Sequence, residues 1–283
     1  MSGTLFVVAT PIGNLEDVTL RALRVLQSVD LIAAEDTRRT ARLLVHHGIS
    51  TPSLSFHQHN IRSRIPQLIN RLRRGESIAL VTDAGTPGLS DPGVELVRAC
   101  VEAGISIDPI PGPSAPLTAV LASGFPLVPL TILGFAPTRA KDRKAWLEKV
   151  SSIQNTLTFF ETPHRIARTM RELGGVLGYR PIVVGRELTK AHQEFIRGTA
   201  KQLVDAFEHP RGEYTVVIGP AEPPVTSTET ASKEQIAHEF SYSTEVVGMK
   251  RREAISALAE KFGLPSKTVY RIIEDAKILA NNQ

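Results

Sequence analysis

The stretch Val81-Thr82-Asp83-Ala84-Gly85-Thr86-Pro87-Gly88-Leu89-Ser90-Asp91-Pro92-Gly93 narrows the folds open to this chain more than any other. Residues 77–81 before it form a short apolar run, which reads as a buried strand. After it, Val94, Leu96, Val97, Cys100 and Val101 recur at helical spacing. The loop between holds three glycines, two prolines and two aspartates. Glycine serves where the backbone takes positive φ or a ligand approaches closely, and proline stiffens the remainder. Asp91 before Pro92 fits a helix cap with proline at the first helical position. A rigid strand-loop-helix crossing at the carboxyl end of a strand is where open α/β sheets bind ligands. This loop is longer than a plain turn requires, so it reads as a ligand loop.

The flanking sequence repeats the same design. Residues 4–9 form an apolar strand that runs into Thr10-Pro11-Ile12-Gly13-Asn14-Leu15, and a Leu20, Leu23, Leu26 stripe follows. Residues 31–34 are a second strand, ending on Glu35-Asp36-Thr37-Arg38 ahead of another helix. A short strand at 54–56, a helix marked by Ile61, Ile65, Leu68, Ile69 and Leu72, and a strand at 105–110 complete the first half. Such β-α repeats imply a mostly parallel, buried sheet. Beyond Pro111-Gly112-Pro113-Ser114-Ala115-Pro116 come strands at 130–133, 156–160, 182–184 and 213–218, so the second half is also α/β. Polar clusters follow strands in both halves, which suggests two sheets facing a shared cleft. Residues 221–232 are rich in Pro, Ser and Thr and read as a linker. From Lys233 on the pattern is helical, with the outline of a helix-turn-helix around Gly263-Leu264-Pro265. Its eight basic and seven acidic residues nearly balance, which favours a helical packing module over a DNA reader. The expected domains are 1–112, 113–222 and 233–283.

With 283 residues, 42% of them hydrophobic, the chain can fill more than one core. A single cysteine, Cys100, excludes an intrachain disulfide and a cysteine-built metal site, and suits the cytoplasm. The start shows no signal-peptide pattern. Residues 109–138 carry no charge, yet their seven prolines and three glycines would break a membrane helix; no membrane contact is expected.

Net charge is only +4, but residues 37–75 hold eight arginines (Arg38, Arg39, Arg42, Arg62, Arg64, Arg71, Arg73, Arg74), no lysine and no acid. Arginine suits bidentate phosphate contact, so the partner is expected to be a polyanion, with RNA or DNA the natural class. Arg62, Arg64, Arg71, Arg73 and Arg74 are the expected phosphate contacts. His57 and His59 could share one face of a strand and bind metal, but no third ligand is evident and none is expected. No phosphate-loop or dinucleotide glycine motif occurs, and neither Ser90 nor Ser114 sits in a hydrolase elbow.

Six ordered motifs resemble a known family: 9-ATPIGNLED-17, 34-AEDTR-38, 82-TDAGTPG-88, 111-PGPSA-115, 161-ETPHR-165 and 186-RELTK-190. Together they resemble the tetrapyrrole-methylase superfamily. Within it they are most similar to the branch that methylates the ribose 2′-oxygen of cytidine 1402 in small-subunit (16S) ribosomal RNA. One departure is Gln193 after His192, where the pattern has Glu.

The resemblance implies two α/β domains with S-adenosylmethionine between them, plus a small helical C-terminal domain. It implies that Asp83, Ala84, Gly85, Thr86 and Pro87 cradle the methionine part, with Pro11, Ser114, Ala115 and Phe160 lining the remainder. It also implies 16S rRNA as partner, in the assembled small subunit, and a homodimer. A ribose hydroxyl is a poor nucleophile, so a base or cation should assist. Glu35, Asp36, Glu161, His164, Arg186, Glu187 and Lys190 are available, and Glu35, Glu161 and Lys190 are the first choices. Two other classes stay open: a methylase acting on a tetrapyrrole or other small molecule, and a non-catalytic RNA-binding assembly factor.

Overall fold

The computed structural model describes residues 2–208, 210–221, 233–241, 243–244, 249–262 and 264–281. The expected linker at 221–232 lies, apart from Ala221, outside the described residues, as does Gly263. The chain falls into two compact units, Met1–Ala221 and Glu222–Gln283.

The larger unit opens with β1 (Thr4–Val8), α1 (Leu20–Ser28), β2 (Leu31–Ala34), α2 (Thr37–His46), β3 (Ser53–Ser55), α3 (Ile61–Arg73), β4 (Ile78–Val81), α4 (Gly93–Glu102) and β5 (Ser106–Ile110). These strands form one sheet in the order β3-β2-β4-β1-β5. All its pairings are parallel. Every residue of β2 (LIAA) and β4 (IALV) is buried, as expected when helices cover both faces. Two apolar clusters do so: Leu5, Phe56, Leu68, Leu80 and Leu96 on one face, and Val8, Leu26, Ile32, Leu44 and Val81 on the other.

α5 (Ala115–Ser123) carries the chain to the second sheet. That sheet contains β6 (Leu130–Phe135), β7 (Thr156–Glu161), β8 (Pro181–Arg186), β9 (Glu194–Thr199) and β10 (Tyr214–Ile218). α6 (Ala140–Ser152), α7 (Pro163–Gly174) and the short α8 (Ala200–Leu203) cover it. The order is β6-β7-β10-β8-β9. Only β6 and β7 pair in parallel; β10 runs antiparallel to both neighbours, and β9 pairs antiparallel with β8. β9 was not expected. Its sequence EFIRGT carries charge and glycine and is only half-buried, as an edge strand allows.

Two local expectations shift. Helix α4 takes Pro92 as its N-cap residue, and Asp91 caps from one position earlier by accepting the Gly93 N–H at 2.7 Å. His57 and His59 lie in a turn after β3 rather than on a strand face, because Asn60 folds the turn by accepting the His57 N–H at 3.0 Å. No group of three metal-ligating side chains occurs among the described residues. No described helix is long and apolar enough to cross a membrane.

In the smaller unit, α9 (Lys233–Ser241), α10 (Arg251–Lys261) and α11 (Ser266–Asn281) pack around Ile236, Phe240, Ala254, Leu258, Val269 and Ile273.

Candidate functional site

The polar ends of the buried strands meet in a cleft of about 330 Å3 between the two sheets. From the first sheet come Glu35, Thr82, Asp83, Ala84, Gly85 and Thr86; from the second come Phe135, Phe160 and Thr215. Ser114 and Ala115, where α5 begins, close the side. The rings of Phe135 and Phe160 stand 5.3 Å apart, tilted 49° to one another, and give one wall an aromatic, apolar lining.

Gly85 fixes the loop. Its φ is +81°, and it pairs with Thr10 through two reciprocal backbone hydrogen bonds of 2.9 and 3.0 Å. The loop after β4 is thereby stitched to the loop after β1. A Cβ at Gly85 would stand 3.3 Å from Ile12 Cγ2. On the other side, Gly13 lies against the loop after β8. A Cβ there would come within 2.6 Å of the Leu188 carbonyl, so only glycine permits the contact. The Asn14 N–H donates to Thr189 Oγ1 at 3.1 Å, and the Thr189 N–H donates to Gln193 Oε1 at 2.7 Å. Gln193 therefore holds a loop in which Glu187 and Thr189 have positive φ. An amide oxygen accepts that bond as a carboxylate would.

The cleft floor is acidic. Glu35 accepts from Thr82 Oγ1 at 2.6 Å and from the Asp83 N–H at 3.2 Å. Asp83 accepts the Asp36 N–H at 2.9 Å. Burial, then the nearby Glu35 charge, pushes the Asp83 carboxyl above its usual range. Asp91 accepts from the Gly88 and Gly93 amides, yet burial still pushes its carboxyl up. Carboxylates strained in this way are relieved by a cation. The site thus suits a ligand with positive charge at one end and a flat apolar group at the other.

Not every expected residue reaches this cleft. Pro11 instead lines a smaller adjoining cavity of about 70 Å3 with Arg39, Thr82 and Asp83, and Pro87 lines neither. Lys190 sits beside the cleft, pairing with Glu187 at 2.9 Å and with the cleft residue Glu213 at 3.0 Å. Burial lowers its pKa, but the two carboxylates outweigh this and the net shift is upward. It stays a cation and is no base. Asp36 caps α2 and pairs with Arg38 at 2.7 Å, which holds its carboxyl well below the usual range. His164 is exposed, and Arg186 pairs with Glu194 at 2.8 Å.

Glu161 is held differently from the other first choices. Its side chain is fully buried and both oxygens are taken. One accepts the Thr162 N–H at 2.8 Å and meets Arg165 Nη2 at 2.6 Å; the other accepts from Thr169 Oγ1 at 2.6 Å, with Arg143 Nη1 at 3.9 Å. Arg165 and Arg143 in turn donate to the Ala136 and Pro137 carbonyls after β6, both at 3.0 Å. Glu161 lines the cleft, but its buried carboxylate is spent on tying the cleft wall together. Removing one partner of a buried ion pair costs about 3–5 kcal/mol. Glu161→Gln is expected to lose that order of unfolding free energy in denaturant melts. Parent-like stability combined with a tenfold loss of turnover would contradict this assignment.

Comparisons with known proteins agree with this geometry. The family model described as "Tetrapyrrole (Corrin/Porphyrin) Methylases" matches residues 4–204. A relative from Synechocystis sp. named "Ribosomal RNA small subunit methyltransferase I" is 43% identical over 95% of this chain and 97% of its own. A relative of the same name from Thermotoga maritima is 46% identical over 76% of this chain and 98% of its own. Among solved structures, a uroporphyrin-III C-methyltransferase from Thermus thermophilus complexed with S-adenosyl homocysteine aligns with a TM-score of 0.56 at 16% identity, over 77% of this chain and 97% of that one. The chain belongs to the tetrapyrrole (corrin/porphyrin) methylase family.

Proposed function

We propose that this chain transfers a methyl group from S-adenosylmethionine to the ribose O2′ of cytidine 1402 in 16S ribosomal RNA, acting on the assembled small subunit as a cytoplasmic homodimer. One observation carries the RNA reading: Arg39, at the head of basic α2, reaches Asp83 of the cofactor loop at 3.5 Å. Basic α2 thus adjoins the cleft loop, so a polyanion lying on that face lies next to the cleft. Arg42, Arg62, Arg73 and Arg74 have no acidic partner among the described residues, which leaves them to phosphates.

When bound, S-adenosylmethionine supplies an electrophilic methyl on its sulfonium. The chain's own work is binding and orientation, which can be worth about 7–11 kcal/mol. Asp83 and Asp91 offer negative charge to the cofactor's cationic end, and the Phe135–Phe160 wall fits its flat base. Glu35 is the carboxylate left to orient the ribose hydroxyl or accept its proton. Lys190 lowers the cost of negative charge developing on that oxygen.

Lys190→Met keeps the stem that packs on Gly13 and removes the charge. Single-turnover rates with both ligands saturating are expected to fall at least tenfold, about 1.4 kcal/mol of barrier, with cofactor affinity unchanged. A parent-like rate would remove Lys190 from the chemistry. The reading as a whole is tested by incubating the protein and labelled S-adenosylmethionine with free 16S rRNA, assembled small subunits and uroporphyrinogen. Label is expected in the subunits. Label only in the tetrapyrrole would support the small-molecule class.

A further inference from the structure

The smaller unit's net charge is nearly balanced, but the charge is unevenly placed. α10 and α11 are joined by residues 262–265, and the Pro265 carbonyl starts α11 by accepting the Thr268 and Val269 amides at 2.8 and 3.2 Å. Ala254 and Leu258 on α10, with Val269 and Ile273 on α11, spend one side of each helix on the core. With α9 behind them this is a helix-turn-helix. The opposite side of α11 exposes Lys267, Tyr270 and Arg271. Arg251 from the start of α10 lies over the Tyr270 ring at 5.5 Å and pairs with Glu274, so one of the nearby acids is already neutralised. Lys250, Arg252, Lys267 and Arg271 have no acidic partner among the described residues. Against these four cations, the neighbouring exposed carboxylates are Glu253 and Asp275.

We propose that this face of α11, with the start of α10, is a second RNA-docking surface that grips the phosphate backbone of the substrate RNA. The proposal rests on the RNA reading above. The deep, narrow major groove of A-form RNA does not admit a helix, so α11 lies along the backbone. Its contacts are then set by charge and salt, with Tyr270 offering a flat surface to a sugar or base. The surface serves affinity and not chemistry. The T. maritima relative is spanned almost whole by 76% of this chain, so a quarter of the chain, about the length of this unit, has no counterpart in a protein of that name.

The test uses the full chain and a 16S rRNA transcript. Lys267→Ala/Arg271→Ala is expected to bind the transcript about tenfold more weakly at low salt, with a salt slope flatter by about 1.5. KM for RNA should rise, while kcat, cofactor affinity and melting temperature stay at parent values. Glu253→Gln/Asp275→Asn removes negative charge from the same face and should tighten binding. If both double variants bind RNA with parent affinity and slope, the proposal is overturned. A changed oligomer size with unchanged RNA binding would overturn it too, and would assign the face to a second copy. A parent protein that binds RNA but methylates none of it would sink the activity reading alone, because the binding comparison still decides this face.

Discussion

Gly85→Val is expected to abolish measurable S-adenosylmethionine binding. Gly85 holds φ +81°, a left-handed conformation that costs an L-residue about 1–2 kcal/mol, and a β-branched one more. The strain can be relieved only by breaking the Thr10 bridge or by moving the backbone of Asp83, Ala84 and Thr86. Either change disperses the cradle and shifts the Asp83 carboxylate. The added side chain also meets Ile12 Cγ2, which lines the cleft. Affinity should fall by at least a hundredfold, about 2.7 kcal/mol, with a modestly lowered melting temperature. Gly85→Ala, strained but smaller, should fall between parent and Val. Calorimetry showing parent affinity for Gly85→Val would remove this loop from the cofactor site.

The second large effect concerns the basic face, whose five expected arginines are not equivalent. Arg62, Arg73 and Arg74 are exposed, and Arg62 and Arg73, eleven residues apart, stand on one side of α3 after about three turns. Arg64 donates to Gln67 at 2.8 Å. Arg71 is half-buried against Glu76 at 2.6 Å. Neutralising Arg62, Arg73 and Arg74 together should weaken RNA binding and flatten its salt slope by about 0.7–0.9 per lost contact. Cofactor affinity should not move. Arg71→Ala should mainly loosen the turn into β4. RNA affinity untouched by the triple change would make this face ordinary solvated surface.

These differences mark where sequence reasoning runs out. The strand ends bearing Glu35, Asp83 and Phe160 were legible because buried parallel strands are continuous apolar runs and their polar punctuation stands out. The role of Glu161 was not, because Arg143 and Thr169 reach it from separate helices and spacing along one strand end cannot show them. Arg71 looked free only because its partner, Glu76, lies one residue beyond the acid-free stretch. Glu213, Tyr214 and Thr215 were missed as cleft residues for a topological reason. β10 runs antiparallel to β7, so it brings its amino end beside Phe160 and Glu161, where the rule for parallel sheets looks only for carboxyl ends. Gln193, the one departure from the family's motifs, anchors a loop by accepting the Thr189 N–H, a contact that spacing along the chain does not show.

The most direct measurement is the position of the methyl group itself. Purified protein, S-adenosylmethionine and small subunits lacking the modification would be incubated, and the RNA digested and read by mass spectrometry. The expected result is one new methyl on the ribose O2′ of cytidine 1402, absent with Gly85→Val. A methyl on a base, on another nucleotide, or on no RNA at all would contradict the account.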